Sequence, residues 1–563
     1  MKNNVYFCAK IRQNNAMEGV IQLLEDSMRR NWDRDALTDY KGDTLRYCDV
    51  ARRVAKLHLF FEAMGVERGD RIAICGRNSS NWGVVCLASL TYGAVTVPIL
   101  HEFKADTIHN IINHSDACMV FVSDLIWENI IPDSIPNVRC VLQLNDMKVL
   151  FAHDEKAEYT INHLNELFGK RYPHRFDRNC IHYELPDEET MALINYTSGS
   201  TGFAKGVMIP YRALSSNMEF VYGKILLNPG DRVVSMLPMA HMYGFAFEFL
   251  WEMTLGAHVY LLTRLPSPKV IFEAFSEVKP NVIIAVPLII EKIIRKAILP
   301  RLETFPMKVL VNIPIVNEAV RNSVRDQMIR SFGGEFYEIV IGGAAFNQDI
   351  DRFLHSIHFP HTVGYGATEC APIICYEDWK TTRPGSCGKP VVNMEVRIDS
   401  EDPQNVAGEV LCRGKNVMLG YYKNEELTRQ TIDADGWLHT GDLGVMDDEG
   451  RLYIRGRSKN MILGPSGQNI YPEEIEDRLN AMPGVAESLV IDRGGKIIAL
   501  VYADSEHIMR EGLSRDQVKE LMEQNRTYLN RMLPVYSQVS AFEMQAEEFE
   551  KTPKKSIKRY LYH

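Results

Sequence analysis

Three features of the sequence predict a layered α/β fold with mostly parallel sheets, followed by an antiparallel β segment and a compact α+β tail. Short β-rich apolar runs alternate with helical patterns over most of the chain. After about residue 385 the texture changes to short strands separated by Gly and Asp turns. The composition, 46% apolar and 24% charged over 563 residues, is that of an ordinary globular protein, long enough for roughly three or four units.

Taken in order, a helical pattern over 48–64 precedes the strand Arg71–Cys75 (R-I-A-I-C). Trp82 to Leu100 carries no charge over nineteen residues, close to membrane-spanning length. It contains Gly93 and Pro98, and divides into an apolar helix near 80–92, a glycine stop and a buried strand Ala94–Ile99. A helix over 105–114 then leads to the strands Met119–Ser123 and Val138–Leu142. The strands Arg232–Met236, His258–Leu262, Asn281–Val286 and Glu338–Ile341 alternate with helices at 243–255, 268–279, 288–298 and 348–357. V-N-M-E-V-R-I-D, G-E-V-L-C-R-G, G-W-L-H-T-G-D and R-L-Y-I-R-G-R supply the antiparallel strands of a small barrel or sheet. From about 460 the tail reads as a helix at 472–481, strands near 486–492 and 496–503, and a helix near 514–532.

Charge and cysteine usage exclude several function classes. Lys plus Arg is 63 against 73 Asp plus Glu, a net charge of −10, so no bulk attraction for nucleic acid is expected. Any phosphate must be held by local geometry. The eleven cysteines include no C-x-x-C pair, which excludes a zinc ribbon, and scattered thiols fit a reducing cytoplasm. The amino terminus lacks the apolar stretch of a signal peptide, and no transmembrane segment is expected, which leaves peripheral membrane contact open.

The strongest chemical signal is Y-T-S-G-S-T-G-F-A-K-G, Tyr196 to Gly206, between two apolar runs. Gly199, Gly202 and Gly206 let the backbone approach a ligand, Thr197, Ser198, Ser200 and Thr201 offer hydroxyls, and Lys205 adds a positive charge. Such a loop suits a polyphosphate. It is not a Walker A loop, because Lys205 lies between Ala204 and Gly206 instead of preceding Ser or Thr. In the same order follow I-G-G-A-A (341–345), G-Y-G-A-T-E (364–369), G-E-V-L-C-R-G-K-N-V-M-L-G-Y-Y (408–422) and D-G-W-L-H-T-G-D-L-G (435–444). G-R-S-K-N (456–460) and G-Q-N-I-Y-P-E-E-I-E (467–476) complete the set.

Together these motifs resemble the adenylate-forming superfamily of acyl-CoA synthetases, peptide-synthetase adenylation domains and luciferases, over roughly residues 40 to 563. The nearest likeness is to bacterial long- or medium-chain fatty acyl-CoA ligases. The resemblance implies an N-terminal domain over 1–457, with a small β-barrel at about 385–457, and a mobile C-terminal α+β lid over 458–563. It also implies ATP, Mg²⁺ and CoA, with a fatty or other apolar carboxylic acid as substrate. The 197–205 loop would hold the β- and γ-phosphates, and Glu369 with Thr201 would hold Mg²⁺. Gly343, Ala344 and Ala345 would line the adenine slot, and Tyr365 would stack on the ring, with Gly366 and Thr368 of the same motif beside the nucleotide. Asp442 would accept from both ribose hydroxyls, supported by Arg457. The segment Leu237–Phe245 would line the carboxylate end of an acyl channel, with His241 orienting the carboxylate. Lys459 matches the hinge, and Gly467 would line the pantetheine tunnel after rotation.

One position departs from the pattern. The family ends on K-T-x-x-G-K-I-x-R, whose second lysine bridges carboxylate and α-phosphate. Aligning Lys551, Thr552, Ile557 and Arg559 places Ser556 at that lysine and Lys555 at the preceding glycine. Three readings follow: a CoA ligase, a synthetase that loads an acyl carrier protein, or a weakened acyl- or nucleotide-binding relative. Outside the motifs, His355, His358 and His361 are spaced by three. Phe359 and Pro360 interrupt any continuous helix, so a surface cluster is expected instead of a zinc site.

Overall fold

The computed structural model describes residues 18–198, 204–264, 266–294, 318–463, 468–552 and 557–562. Its largest sheet has eight strands. Four central ones, Val95–Ile99, Arg71–Cys75, Ala117–Val122 and Cys140–Gln143, run parallel and are buried almost throughout. Burial on both faces explains why they read as continuous apolar runs instead of alternating ones. Val149–Ala152 adds an antiparallel strand at one end; at the other, Met191–Ser198 joins parallel to Val95–Ile99 and turns back as the antiparallel hairpin strand Ala204–Pro210, on whose edge Gly420–Tyr421 pairs antiparallel.

The uncharged stretch near residue 90 divides as the sequence predicts. Ser80–Tyr92 is a helix with Ser79 capping its N-terminus, and Gly93 turns left-handed at φ +84° before the strand Val95–Ile99. Three parallel strands, Val282–Ala285, Glu338–Ile341 and His361–Val363, form a second sheet. A third contains Arg232–Ser235, His258–Leu261, Asp35–Asp39 and Thr44–Arg46.

Two helical segments differ from expectation. The one expected at 243–255 is an α-helix Met242–Phe245, a π-helical stretch Ala246–Leu250 and an α-helix Trp251–Leu255 in unbroken succession. Its residues are buried all round, so hydrophobic periodicity carries no information about that change of pitch. The helix expected at 288–298 is described as Pro287–Ile293, its expected end lying outside the described residues. The helix Tyr211–Lys224, unread in the sequence, packs behind the hairpin strand Ala204–Pro210.

Beyond residue 390 the antiparallel element is a four-stranded sheet ordered Met394–Asp399, Gly408–Gly414, Leu438–Met446, Leu452–Arg457. The C-terminal unit pairs Val485–Arg493, Lys496–Ala503 and Ala541–Gln545 under the helices Pro472–Asn480 and Arg515–Met532. Its apolar residues, among them Ile475, Leu479, Val501 and Leu529, make a core of their own, separate from the one that runs from Val20 to Leu452. Polar bonds join the two units: Asn347 Nδ2 donates to Asp477 Oδ1 at 2.9 Å, and Gln348 N to Asp477 Oδ2 at 3.2 Å. No helix among the described residues is long and apolar enough to cross a membrane.

Candidate active site

The strands Glu338–Ile341 and His361–Val363 end side by side, and the chain leaves both carboxyl ends through small residues. A crevice beyond the carboxyl ends of parallel strands is the usual ligand position in such sheets. Gly342 N donates to Ala285 O and Gly364 N to Ile341 O, fixing both exits. Gly343 adopts φ +86°, a left-handed conformation that favours glycine, and the exposed Ala344 and Ala345 follow it. Tyr243 lies beneath them. A Cβ on Gly342 would sit 3.2 Å from its ring, and its hydroxyl donates to Val340 O at 3.0 Å.

His241 caps the helix Met242–Phe245 and accepts from Tyr243 N through Nδ1 at 3.3 Å. Three buried side chains fix the irregular segment that leads to it. Asn78 donates to Leu237 O at 2.7 Å and accepts from Met239 N at 2.8 Å. Asn195 donates to Ala240 O at 3.0 Å. Glu248 Oε2 accepts from Met236 N at 3.0 Å and Leu237 N at 2.8 Å. Burial holds the Glu248 carboxyl well above the usual range, opposed by those backbone bonds.

The phosphate-loop motif is a hairpin. Thr197 pairs with Lys205 and Ser198 with Ala204, while Gly199, Ser200, Thr201 and Gly202 at its tip lie outside the described residues. Burial lowers the Lys205 ammonium pKa, the charge of Lys459 lowers it further, and Glu369 opposes both. Glu369 occupies the short 3-10 turn Thr368–Cys370, with Thr368 buried beside it. Met418 N donates to Glu369 O at 2.8 Å, and the Tyr421 hydroxyl donates to Glu369 Oε1 at 2.9 Å. Among the described residues Glu369 Oε2 makes no hydrogen bond or ion pair. Gly366 accepts no side chain, since a Cβ there would lie 2.2 Å from Pro372 O.

Asp442, 6% exposed, takes the Arg457 Nε at 2.7 Å on one oxygen and the Tyr365 hydroxyl at 2.5 Å on the other. Arg457 reaches it because the two residues pair across the strands Leu438–Met446 and Leu452–Arg457. Burial raises the Asp442 carboxyl pKa, and Arg457 and Tyr365 offset part of that rise. The Glu369 charge also acts on Asp442, so the Lys459–Lys205–Glu369 group and the Tyr365–Asp442–Arg457 group share one electrostatic site. Lys459 is exposed in the turn Ser458–Asn460, directly after Arg457.

The fold therefore gathers Lys205, Glu369, Asp442, Arg457, Tyr365 and Lys459, with the glycine-alanine turn and His241 arranged around Tyr243. Gly467, Lys555 and Ser556 lie outside the described residues. The sequence reading missed Asn78, Asn195, Glu248 and Tyr421 as supporting residues. Tyr421 stood inside a quoted motif, but its contact with Glu369 spans 52 positions and leaves no local signal.

The histidine expectation needs correction. His361 and Asp351 are buried, and the carboxylate accepts from His361 Nε2 at 2.8 Å and from Gly385 N at 2.6 Å. His355 Nδ1 lies 3.2 Å from the same carboxylate, while His358 is exposed. What looked like a surface cluster is an interior hydrogen-bonded group, because Phe359 and Pro360 turn the chain inward from the helix to the strand His361–Val363. Burial alone would raise the Asp351 carboxyl, but the two histidines hold it below the usual range.

Comparison with known proteins gives the family and the fold. Residues 24–422 match the AMP-binding enzyme family, and the chain belongs to that family. It is 27% identical to the long-chain-fatty-acid–CoA ligase FadD15 of Mycobacterium bovis, over 81% of this chain and 77% of that protein. It is 28% identical to 4-coumarate–CoA ligase 5 of Oryza sativa, over 90% and 88%. The crystal structure of the anthranilate CoA ligase AuaEII with anthranoyl-AMP superposes with a TM-score of 0.77 at 19% identity, covering 98% of this chain and 97% of that one. That likeness establishes the fold.

Proposed function

We propose that this chain is an AMP-forming acid–CoA ligase acting on a fatty or other apolar carboxylic acid. In the first half-reaction a carboxylate oxygen of the acid attacks the α-phosphorus of ATP. The bond to the β-phosphate oxygen breaks, giving acyl-AMP and pyrophosphate. In the second, the thiol of CoA loses its proton and attacks the acyl carbon, and AMP leaves. Both steps depend on positioning and on charge stabilisation.

The observation that carries the proposal is the single charged site made by Lys205, Glu369 and the Tyr365–Asp442–Arg457 group. Lys205 would face the phosphates, Asp442 the ribose hydroxyls, and Gly343 to Ala345 the adenine edge. Glu369 fits a magnesium ion: its Oε2 has no partner among the described residues, and Mg²⁺ prefers one or two carboxylate oxygens beside substrate phosphates. With Thr201 it would hold that ion, which supplies charge neutralisation at the phosphates. The apolar-acid assignment is supported by the buried Met239, Met242, Phe245 and Phe247 of the chain segment that carries His241, and by the substrates named for the relatives. The C-terminal unit from residue 458 would be the lid, turning about Lys459 between half-reactions.

Pyrophosphate release should be screened across straight-chain and aromatic acids of graded length, with and without CoA, and the thioester identified by mass spectrometry. Acid-dependent release with acyl-CoA as product is expected. ATP binding without acid-dependent release from any acid would replace the ligase by the weakened relative that Ser556 motivates.

A further inference from the structure

We infer that Tyr421 is a positioning residue that holds Glu369 and Lys205 in register, leaving one carboxylate oxygen free for a divalent cation and the ammonium for the phosphates. The inference rests on the ligase reading above and concerns a residue inside the 408–422 motif to which the resemblance gave no role.

The backbone fixes Tyr421 before its side chain makes any contact. Gly420 pairs with Met208 and Tyr421 with Val207, adding a short strand to the edge of Ala204–Pro210, the strand that carries Lys205. Leu419 N donates to Met208 O at 2.9 Å and Tyr422 N to Gly206 O at 2.8 Å, so the pairing continues on both sides. Tyr421 N donates to Thr428 Oγ1 at 2.9 Å. Gly420 has φ +140°, and a Cβ there would lie 2.6 Å from the Thr428 side chain, so glycine is required for this approach. The ring is only 6% exposed, with little rotational freedom left.

From that anchored position the residue reaches two opposite charges. Its hydroxyl donates to Glu369 Oε1 at 2.9 Å, while Met418 N, three residues earlier, donates to Glu369 O at 2.8 Å. The segment 418–421 therefore grips Glu369 by both its main chain and its side chain. A donor on Oε1 fixes the carboxylate plane and directs Oε2 away from the tyrosine. Lys205 Nζ lies 5.3 Å from the centre of the same ring, within reach of a cation–π attraction. The Glu369 charge already acts on Lys205, and without the phenol between them a direct pair would remove the groups meant for cation and phosphate.

The test separates the hydroxyl from the ring. Mn²⁺ binding is measured by the free-ion paramagnetic resonance signal on the full chain with a methylene-bridged ATP analogue and no acid, so no turnover occurs. Tyr421→Phe should weaken Mn²⁺ binding about tenfold, and Glu369→Gln at least as much. The double variant should be no weaker than Glu369→Gln alone, because the hydroxyl acts only through that carboxylate. Tyr421→Leu should in addition raise KM for ATP in pyrophosphate release more than Tyr421→Phe does. Unchanged Mn²⁺ affinity in Tyr421→Phe, or additive losses in the double variant, would overturn the inference. If the unaltered chain shows no cation-dependent pyrophosphate release, the ligase reading falls first, and that outcome is seen before any variant is made.

Discussion

Replacing Asp442 by alanine removes two bonds at once, to Arg457 Nε at 2.7 Å and to the Tyr365 hydroxyl at 2.5 Å. The two partners lose different amounts. Arg457 has a side chain 59% exposed and re-solvates, at a cost of about 1 kcal/mol or less. The Tyr365 hydroxyl is left without its acceptor, which costs about 1–3 kcal/mol, so folding stability should fall by roughly that amount. The functional loss should be larger. Hydrogen bonds to a charged acceptor contribute about 1.5–3 kcal/mol each, and two ribose hydroxyls would place kcat/KM for ATP about 10²–10⁴-fold lower. Pyrophosphate release at saturating acid should be compared with ATP, 2′-deoxy-ATP and 3′-deoxy-ATP. The unaltered chain should lose about tenfold or more with each deoxy analogue, whereas Asp442→Ala should treat all three alike. If the variant still discriminates as the unaltered chain does, Asp442 does not hold the ribose.

Three further outcomes are expected. Lys459→Pro and Gly467→Leu should spare acyl-AMP formation and impair thioester formation, because proline locks φ at the turn Ser458–Asn460 and a leucine would obstruct the thiol's path; equal loss of both half-reactions, measured separately, would rule out the hinge. Ser556→Lys should raise acid-dependent pyrophosphate release at least tenfold, about 1.4 kcal/mol of barrier, while Lys555→Ala changes little. A slip that exchanged the two residues is opposed by their anchored flanks, since Lys551 pairs with Ile557 and with Glu487 at 2.6 Å, and Arg559 with Glu476 at 2.8 Å; loss of activity in Lys555→Ala with no gain in Ser556→Lys would make Lys555 the working residue. Burial, with Glu291 and Asp349 nearby, pushes the Asp477 carboxyl up to about 6 in the docked arrangement, against about 3.9 when free. Docking therefore takes up a proton between those values and weakens as pH rises from 5 to 7; paired spectroscopic probes on the two units should report this shift, Asp477→Asn should abolish it, and a distance distribution independent of pH in the unaltered chain would refute the linkage.

How much of the site was legible depended on whether its residues act through the local chain. Gly93 as a stop and the strand Glu338–Ile341 follow from local sterics and burial, and the structure has both where the pattern puts them. The motif residues Lys205, Glu369, Asp442 and Arg457 could be named because the ordered motifs that carry them resemble those of a known family. Asn78 and Glu248 gave no such signal. Each is a polar residue near or within an apolar run, and each acquires its task only when the fold brings it to unpaired backbone groups between Met236 and Met239. The histidines at 355 and 361 were misplaced for the same reason, since the acceptor that draws His361 inward, Asp351, lies ten residues earlier.

The sequence by itself determined the alternation of strands and helices, the order of the motifs and the kinds of group available for phosphate, ribose and cation. Those properties depend on side-chain chemistry and on contacts only a few residues apart. The tertiary structure decided which oxygen of Glu369 is taken, which tyrosine takes it, and how Arg457 and Tyr365 divide the carboxylate of Asp442 between them. Such contacts join positions 15 to 77 residues apart, and their geometry is set by strand register and the packing of separate sheets, which no local pattern encodes.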